Sequence, residues 1–387
     1  MHPGSKWIPA GLALLLGSAL AHAQLAALVA VEPTAKKAAH SILRSALQDG
    51  LTQAAAQPVE VTSSDDLANA MRATRSGDFD IFIAPPQVAA SALQRGYELV
   101  GATHKSERYV LVGTTEVATT ADMKGRRLYL PQQDSVYTYM ARGMLNEAGL
   151  SFHDLKAVQH ERFPQAGLSA LALGTVDATV VRADEWAEWA QTNAGTAHVL
   201  TTSQPVPGGF SIVVKKTLAP DVRSKLAQWL GAPPPKTGLA PAAVRPEATE
   251  YKRLAELGLF TPAALPGVPR ITAQEAQKLQ ASGALVVDTR TAKEFQTRRI
   301  RGAVHAAYVE KSLKDVAFNA VQDDFRALDN LPKLAPTQAL IFACNGAECW
   351  KSYKAAKVAS TKGFKAVYWL RGGLPEWAEN GLPTDGS

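Results

Sequence analysis

The chain has 387 residues, 46% hydrophobic and 20% charged, a balance that excludes a wholly disordered protein. This length exceeds what one hydrophobic core usually organises, so we expect two or more domains. The formal net charge of +6 is spread along the chain rather than gathered in a basic tail, which argues against nucleic acid as a partner.

Residues 1–23 have the pattern of a secretory signal. Lys6 precedes the apolar run Ile8 to Leu20, and Ala21-His22-Ala23 matches a small-x-small cleavage site. The run is short for a membrane span, and no later stretch reaches the roughly 18 to 20 apolar residues that a spanning helix needs. We therefore expect export, to a bacterial periplasm, without a stable membrane span.

Residues 24–230 alternate short apolar runs with helical patterns, which predicts an α/β fold. The predicted strands of this part are Leu25–Val31, Phe79–Ala84, Arg108–Gly113, Leu128–Leu130 and Phe210–Val214. Residues 231–270 are rich in proline and alanine with one helical pattern, near Glu250 to Leu257, and are interpreted as a linker.

A second α/β pattern occupies residues 271–385. Its predicted elements are the strands Leu285–Asp288, Ala339–Ala343 and Ala366–Leu370 and the helices Ala273–Ser282 and Ser352–Ser360.

Four segments of residues 24–230 carry a family resemblance. They are Asp66-Leu67-Ala68-Asn69-Ala70, Gly77-Asp78-Phe79-Asp80-Ile81, Met123-Lys124-Gly125-Arg126-Arg127-Leu128 and Gly174-Thr175-Val176-Asp177-Ala178. Together they resemble the phosphonate-binding proteins of the periplasm. The resemblance implies a two-lobed solute-binding fold with its ligand between the lobes.

In such a cleft, helix N-termini can bind an anionic or sulfur-containing ligand through their free N–H groups. Gln87 follows one predicted strand and opens a helix, and Ser135 and Tyr137 do so after another, so these are the candidate ligand residues. The alternative is that Asp134 or Ser135 merely caps the helix. His160 and Arg182, at the ends of predicted strands, could line the same cleft, although a lone histidine is more often a satisfied polar residue.

The chain has only two cysteines, Cys344 and Cys349, in one short segment. Two neighbouring thiols indicate a reactive site or a small local bridge rather than a disulfide scaffold. Cys344 lies where a strand meets a helix, and free N–H groups there favour a thiolate and an anionic substrate beside it.

Three further motifs, in order, surround this segment. They are Val286-Val287-Asp288-Thr289-Arg290, then Lys293-Glu294-Phe295 with Arg299-Ile300-Arg301-Gly302-Ala303, and finally Arg371-Gly372-Gly373-Leu374-Pro375-Glu376-Trp377. The set resembles the rhodanese family, with Arg299 where histidine is usual. We therefore expect a smaller α/β rhodanese domain with a mostly parallel sheet after the two-lobed domain.

The rhodanese resemblance implies a sulfurtransferase in which Cys344 becomes a persulfide. Sulfur would pass from thiosulfate or a similar donor to a thiol or cyanide acceptor. The substrate-binding loop would be Asn345, Gly346, Ala347, Glu348 and Trp350. Asp288 and Arg290 would orient neighbouring groups or form a structural ion pair, and Lys351 would supply a cation.

Cys349 has three open interpretations: a resolving thiol, a disulfide partner of Cys344, or a buried spectator. The whole protein likewise has two alternatives to a sulfurtransferase. One is a non-catalytic binding or sensing protein with a Cys344–Cys349 disulfide, and the other is a thiol-disulfide redox protein. No spacing among the histidines and acidic residues indicates a metal site, and we expect no cofactor.

Overall fold

The computed structural model describes residues 24–33, 38–329, 331 and 337–386. The predicted signal and its cleavage site at Ala23 lie outside the described residues. Within the described ranges, the helices are all too short or too polar to cross a membrane.

The larger part of the chain alternates strands with helices. Its elements are β1 (Leu25–Ala30), α1 (Ala38–Ala55), β2 (Val59–Ser64), α2 (Leu67–Ser76), β3 (Ile81–Ala84), α3 (Pro86–Leu93), β4 (Tyr97–Glu107), β5 (Tyr109–Thr114), β6 (Arg127–Leu130), α4 (Val136–Glu147), β7 (Ala157–His160), α5 (Ala166–Ala172), β8 (Ala178–Arg182), α6 (Ala183–Ala190), β9 (Ala197–Thr202), β10 (Val206–Lys215), α7 (Pro220–Gly231) and α8 (Ala248–Glu256).

These strands form two five-stranded sheets, each the centre of one lobe. Lobe one has the order β2-β1-β3-β10-β4, and lobe two has the order β7-β6-β8-β5-β9. The chain crosses between the lobes twice, from β4 to β5 through Arg108 and from β9 back to β10. The two-lobed α/β fold predicted from the sequence is confirmed.

Helix α2 illustrates how local sequence sets up the site. Asp66 caps its N-terminus by accepting a hydrogen bond from the Asn69 amide, and Gly77 ends it with a φ of 73°. Its apolar face, which includes Leu67 and Met71, packs into lobe one, so its arginines lie on the other side.

The proline-rich segment 231–270 packs along lobe one. The Tyr251 hydroxyl donates to Ser211 Oγ at 2.8 Å, and Leu254 lies in the core that the two lobes share. Val244 also pairs with Ala102 at the edge of β4. Proline limits regular strand pairing, but it does not prevent a segment from packing against its neighbours. The composition of residues 231–270 therefore indicated little regular structure and gave no sign of this packing.

The C-terminal domain follows this segment. Its elements are α9 (Ala273–Ala281), β11 (Leu285–Asp288), α10 (Ala292–Thr297), β12 (Arg299–Ile300), β13 (Val304–His305), α11 (Arg326–Asp329), β14 (Leu340–Ala343), α12 (Trp350–Thr361), β15 (Val367–Leu370), α13 (Gly373–Glu379) and β16 (Thr384–Asp385).

Four of these strands form a parallel sheet in the order β13-β11-β14-β15. One face packs against α9 and α13 through residues such as Val286 and Trp377, and the other against α12 through Phe342 and Tyr353. Since both faces are covered, the central strands are continuous apolar runs, as parallel strands usually are. Cys344 directly follows β14 and therefore lies at the end of the sheet where the carboxyl ends of its strands meet.

Candidate functional site

The cysteine loop, here residues 344–351, joins β14 to α12 and includes the first two residues of that helix. Cys344 is 1% exposed and Cys349 is 7% exposed. The two are joined by a disulfide, with their Cα atoms 6.1 Å apart. The loop turns back far enough to bring Cys349 within bonding distance of Cys344, which is the arrangement of the disulfide-partner interpretation.

Two glycines shape this loop. Gly346 has a φ of 94°, and Gly373, from the C-terminal Gly-Gly motif, has a φ of 58°. A side chain at Gly373 would place its Cβ 2.0 Å from the carbonyl oxygen of Cys344. That same carbonyl accepts a 2.9 Å hydrogen bond from the Leu374 amide, so the Gly-Gly motif packs directly against the start of the loop and fixes its position.

The main-chain amides of the loop are the expected anion-binding groups. Within the described residues, the N–H groups from Asn345 to Glu348 donate to no protein acceptor, whereas the Cys349 amide donates to Gly346 O at 3.0 Å. Unpaired amides in a tight turn carry partial positive charge that favours an anion.

Asp288 and Arg290 form a buried pair behind the loop. Arg290 Nη2 donates to Asp288 Oδ2 at 2.6 Å, and its Nη1 donates to Asn345 Oδ1 at 3.3 Å. Asn345 in turn donates to Glu294 Oε1 at 2.6 Å. The chain of contacts connects the ion pair to the first residue after Cys344, so the pair braces the loop.

A cavity of about 290 Å³ opens in front of the disulfide. Both cysteines line it, together with Lys351, whose pKa is lowered mainly by burial. Its opposite wall is helix α2 of lobe one, including Arg72 and Arg75. A larger cavity of about 900 Å³ shares Arg75, Asn345 and Glu348 with this one, but neither cysteine lines it, so the smaller one is the candidate reaction site.

Lobe one also binds the loop directly. The carboxylate of Glu348 accepts from Arg95 at 2.6 Å and lies 3.4 Å from Arg75. Thr261, from the segment before the C-terminal domain, donates through its amide and its hydroxyl to Ala347 O at 2.8 and 2.7 Å. A further pair joins Lys314 to Asp134 at 2.6 Å. The cysteine loop is thus enclosed by the rest of the chain.

The arginines of lobe one were not among the sequence candidates. Nothing in the pattern around Arg72, Arg75 or Arg95 distinguishes them from ordinary surface residues of helices, because their relation to the cysteine loop is a long-range contact.

A second site lies in the cleft between the lobes. At the N-terminus of α4, the Ser135 hydroxyl donates to Glu32 at 2.8 Å and the Val136 amide at 2.9 Å. Gln87 Nε2 donates to the same carboxylate at 3.3 Å. Burial is the main cause that raises the pKa of Glu32 to about 7.

The carboxylate of Glu32 therefore fills the position at which a helix N-terminus would hold an anionic ligand. An anion that binds at Ser135 and Val136 has to displace it. Sequence reasoning missed Glu32, since a glutamate between a strand and a proline is typical of an exposed turn.

The other cleft candidates have protein partners. The Tyr137 hydroxyl donates to Glu185 at 3.1 Å, and Arg182 Nη2 lies 3.6 Å from the same carboxylate. His160 Nδ1 lies 2.7 Å from Pro131 O, and burial lowers the pKa of this histidine. The structure brings Gln87 and Ser135 together on Glu32, while Tyr137 and Arg182 meet at Glu185.

No group of three or more metal-ligating side chains occurs in the part of the chain that the structure describes.

The fold and the two sites define a class of protein: a two-lobed solute-binding domain joined to a small domain with a cysteine at the carboxyl end of a parallel strand. The family model described as ABC transporter, phosphonate, periplasmic substrate-binding protein matches residues 29–233, more than half of the chain. The chain therefore belongs to that family. A second model, the Rhodanese-like domain, matches residues 272–380 and supports a sulfurtransferase-type function.

Several solved structures of binding proteins are similar to this chain. PhnD1 from Prochlorococcus marinus, in complex with methylphosphonate, has 13% identity and a TM-score of 0.48, with 61% of this chain and 97% of that chain covered. A binding protein component of an ABC phosphonate transporter from Pseudomonas aeruginosa has 15% identity and a TM-score of 0.44, with 67% and 93% covered. The aliphatic sulphonate binding protein SsuA from Escherichia coli has 18% identity and a TM-score of 0.37, with 60% and 86% covered. None of the curated proteins compared with the chain matches it.

Proposed function

We propose that the protein is an exported sulfurtransferase of the periplasm that carries a sulfane sulfur as a persulfide on Cys344. The observation on which this rests is the position of Cys344, at the end of a parallel strand in a loop whose amides from Asn345 to Glu348 have no acceptor in the described residues. The match to the rhodanese-like domain supports the same reaction class.

In the proposed cycle, reduction of the disulfide comes first. A dithiol or an equivalent reductant supplies two electrons and two protons, which leaves thiols at Cys344 and Cys349. The Cys344 thiolate then attacks the outer sulfur of thiosulfate, and sulfite departs with the electron pair of the broken sulfur–sulfur bond. A thiol or cyanide removes the outer sulfur in the second half of the cycle.

The two-lobed domain is proposed to bind a small anionic ligand, in keeping with its family. The position of Glu32 on Ser135 and Val136 means that such a ligand competes with an internal carboxylate.

The test is thiosulfate-to-cyanide transfer by the full chain after reduction and removal of the reductant. We expect turnover by the reduced wild-type protein and none by Cys344→Ser. Undiminished turnover in Cys344→Ser would refute the assignment of the nucleophile. Cys349→Ser separates the roles of the second thiol, because it cannot form the disulfide and should need no reduction.

One observation favours two other candidate functions, a non-catalytic binding protein and a thiol-disulfide redox protein. This observation is the Cys344–Cys349 disulfide itself. Thiol titration before and after mild reduction distinguishes the candidates: two thiols that appear without sulfur transfer favour the redox protein, and a disulfide that resists reduction favours the binding protein.

A further inference from the structure

The cysteine loop has few charges of its own for an anionic sulfur donor. Its charged side chains are Glu348 and Lys351. The glutamate would repel an anion, and burial disfavours the charged form of the lysine. A donor with two negative charges needs cationic hydrogen-bond donors, because charge-assisted contacts are the strong ones at such sites.

Helix α2 of lobe one supplies arginines on the opposite wall of the same cavity. Arg72 and Arg75 are one turn apart, and both line the space in front of Cys344 and Cys349. The Arg72 side chain is 30% exposed; its Nη1 lies 3.5 Å from Glu294 and its Nη2 donates to Asn69 at 3.0 Å, so a ligand would share this guanidinium with the two partners.

Arg75 is the more informative of the two. Its side chain is only 7% exposed, yet its Nε–H has no hydrogen-bond partner in the described residues. Its one ion-pair partner among the described residues, Glu348, is held more closely by Arg95, at 2.6 Å against 3.4 Å. A buried guanidinium N–H without an acceptor is costly, and a ligand anion in the cavity would remove that cost.

We propose that the sulfur-donor site is shared between the two parts of the chain, with Arg72 and Arg75 of lobe one binding the oxyanion end of a thiosulfate-like donor whose outer sulfur faces Cys344. This inference rests on the proposed sulfurtransferase function and deepens it. In the transfer step, the bond from Cys344 Sγ to the outer sulfur forms while the donor's sulfur–sulfur bond breaks. The leaving sulfite retains its negative charge between the two arginines.

The cavity size agrees with a small donor. At about 290 Å³ it lies near the lower end of ligand pockets, which suits an inorganic anion or a ligand of amino-acid size. The two-lobed domain then contributes to the reaction by completing the site, in addition to any solute that its own cleft binds.

The first test is steady-state sulfur transfer with the reduced full chain and its variants Arg72→Gln and Arg75→Gln. Loss of one charge-assisted contact should raise the KM for thiosulfate about tenfold or more, while kcat changes little. Arg44→Gln is the matched control, since it removes an exposed arginine from another helix of the same domain. An unchanged KM in both cavity variants would overturn the proposal. Arg72 is the less buried of the two arginines, so Arg72→Gln still tests the site if Arg75→Gln fails to fold.

The second test does not depend on sulfur transfer. In a Cys349→Ser background Cys344 is the only thiol of the chain, and its alkylation by anionic iodoacetate is compared with that by neutral iodoacetamide. We expect the rate ratio of iodoacetate to iodoacetamide to fall severalfold in Arg72→Gln and Arg75→Gln. A ratio that is the same with and without these arginines would contradict the shared site. If no protein transfers sulfur but the ratio still depends on the arginines, the sulfurtransferase proposal fails and the anion site stands.

Discussion

Replacement of Glu32 by glutamine should change how the stability of the protein depends on pH. The pKa of this carboxyl is raised from 4.5 to about 7, mainly by burial. Below pH 4.5 the group is protonated in both the folded and the unfolded chain. Between pH 4.5 and 7 the unfolded chain ionises while the folded chain keeps its proton, so the free energy of unfolding falls as the pH rises.

The shift sets the size of this effect. At 1.36 kcal/mol per pKa unit, complete titration would lower the free energy of unfolding by about 3 kcal/mol, and residual solvent contact should reduce this to about 2 to 3 kcal/mol. Glutamine at position 32 is neutral throughout and still offers an oxygen to Ser135 and Val136. Glu32→Gln should therefore lose this pH dependence and be more stable than wild type at pH 8.

The assay is denaturant or thermal unfolding of the full chain at pH 5, 6, 7 and 8. Glu60→Gln, at an exposed carboxyl of β2, controls for the loss of one negative charge. Parallel pH curves for wild type and Glu32→Gln would refute the reasoning. As a second readout, Glu32→Ala vacates the helix N-terminus, so calorimetry should detect tighter binding of a small anion, with inorganic phosphate as the probe, to that variant than to wild type.

Three other changes test how the cysteine loop is held. Gly373→Ala combines an unfavourable φ with a clash against the Cys344 carbonyl, so it should cost about 2 to 5 kcal/mol in unfolding experiments, whereas Gly363→Ala, with open space around its φ of 92°, should cost less than half as much. Asp288→Asn leaves its buried arginine partner without a counter-charge and should lower the free energy of unfolding by about 3 to 5 kcal/mol, which urea titration will measure. Glu348→Gln weakens the contact with lobe one and should speed hydrogen exchange of the Cys349 amide, which donates to Gly346 O within the loop, and unchanged exchange would argue against a docked loop.

Much of the fold could be predicted from local pattern. The apolar run before Cys344 is a buried parallel strand, the residues after Cys349 form the expected helix, and Ser135 opens α4 as proposed. These features depend on residues close together in the sequence, where periodicity, capping and strand composition are informative. From the same kind of pattern we interpreted residues 231–270 as a linker, because amino-acid composition does not show which surface a segment packs against.

The sequence by itself determined the two-part α/β organisation, the position of Cys344 between a strand and a helix, and the helix N-terminus at Ser135. Only the tertiary structure decided that Glu32 occupies that helix N-terminus and that Arg72 and Arg75 face the cysteines. The physical reason is that a cap or a strand is stabilised by neighbours in the chain. An ion pair across two domains depends instead on the packing of segments that are far apart in the sequence. Arg75 and Glu348, for example, are separated by 273 positions.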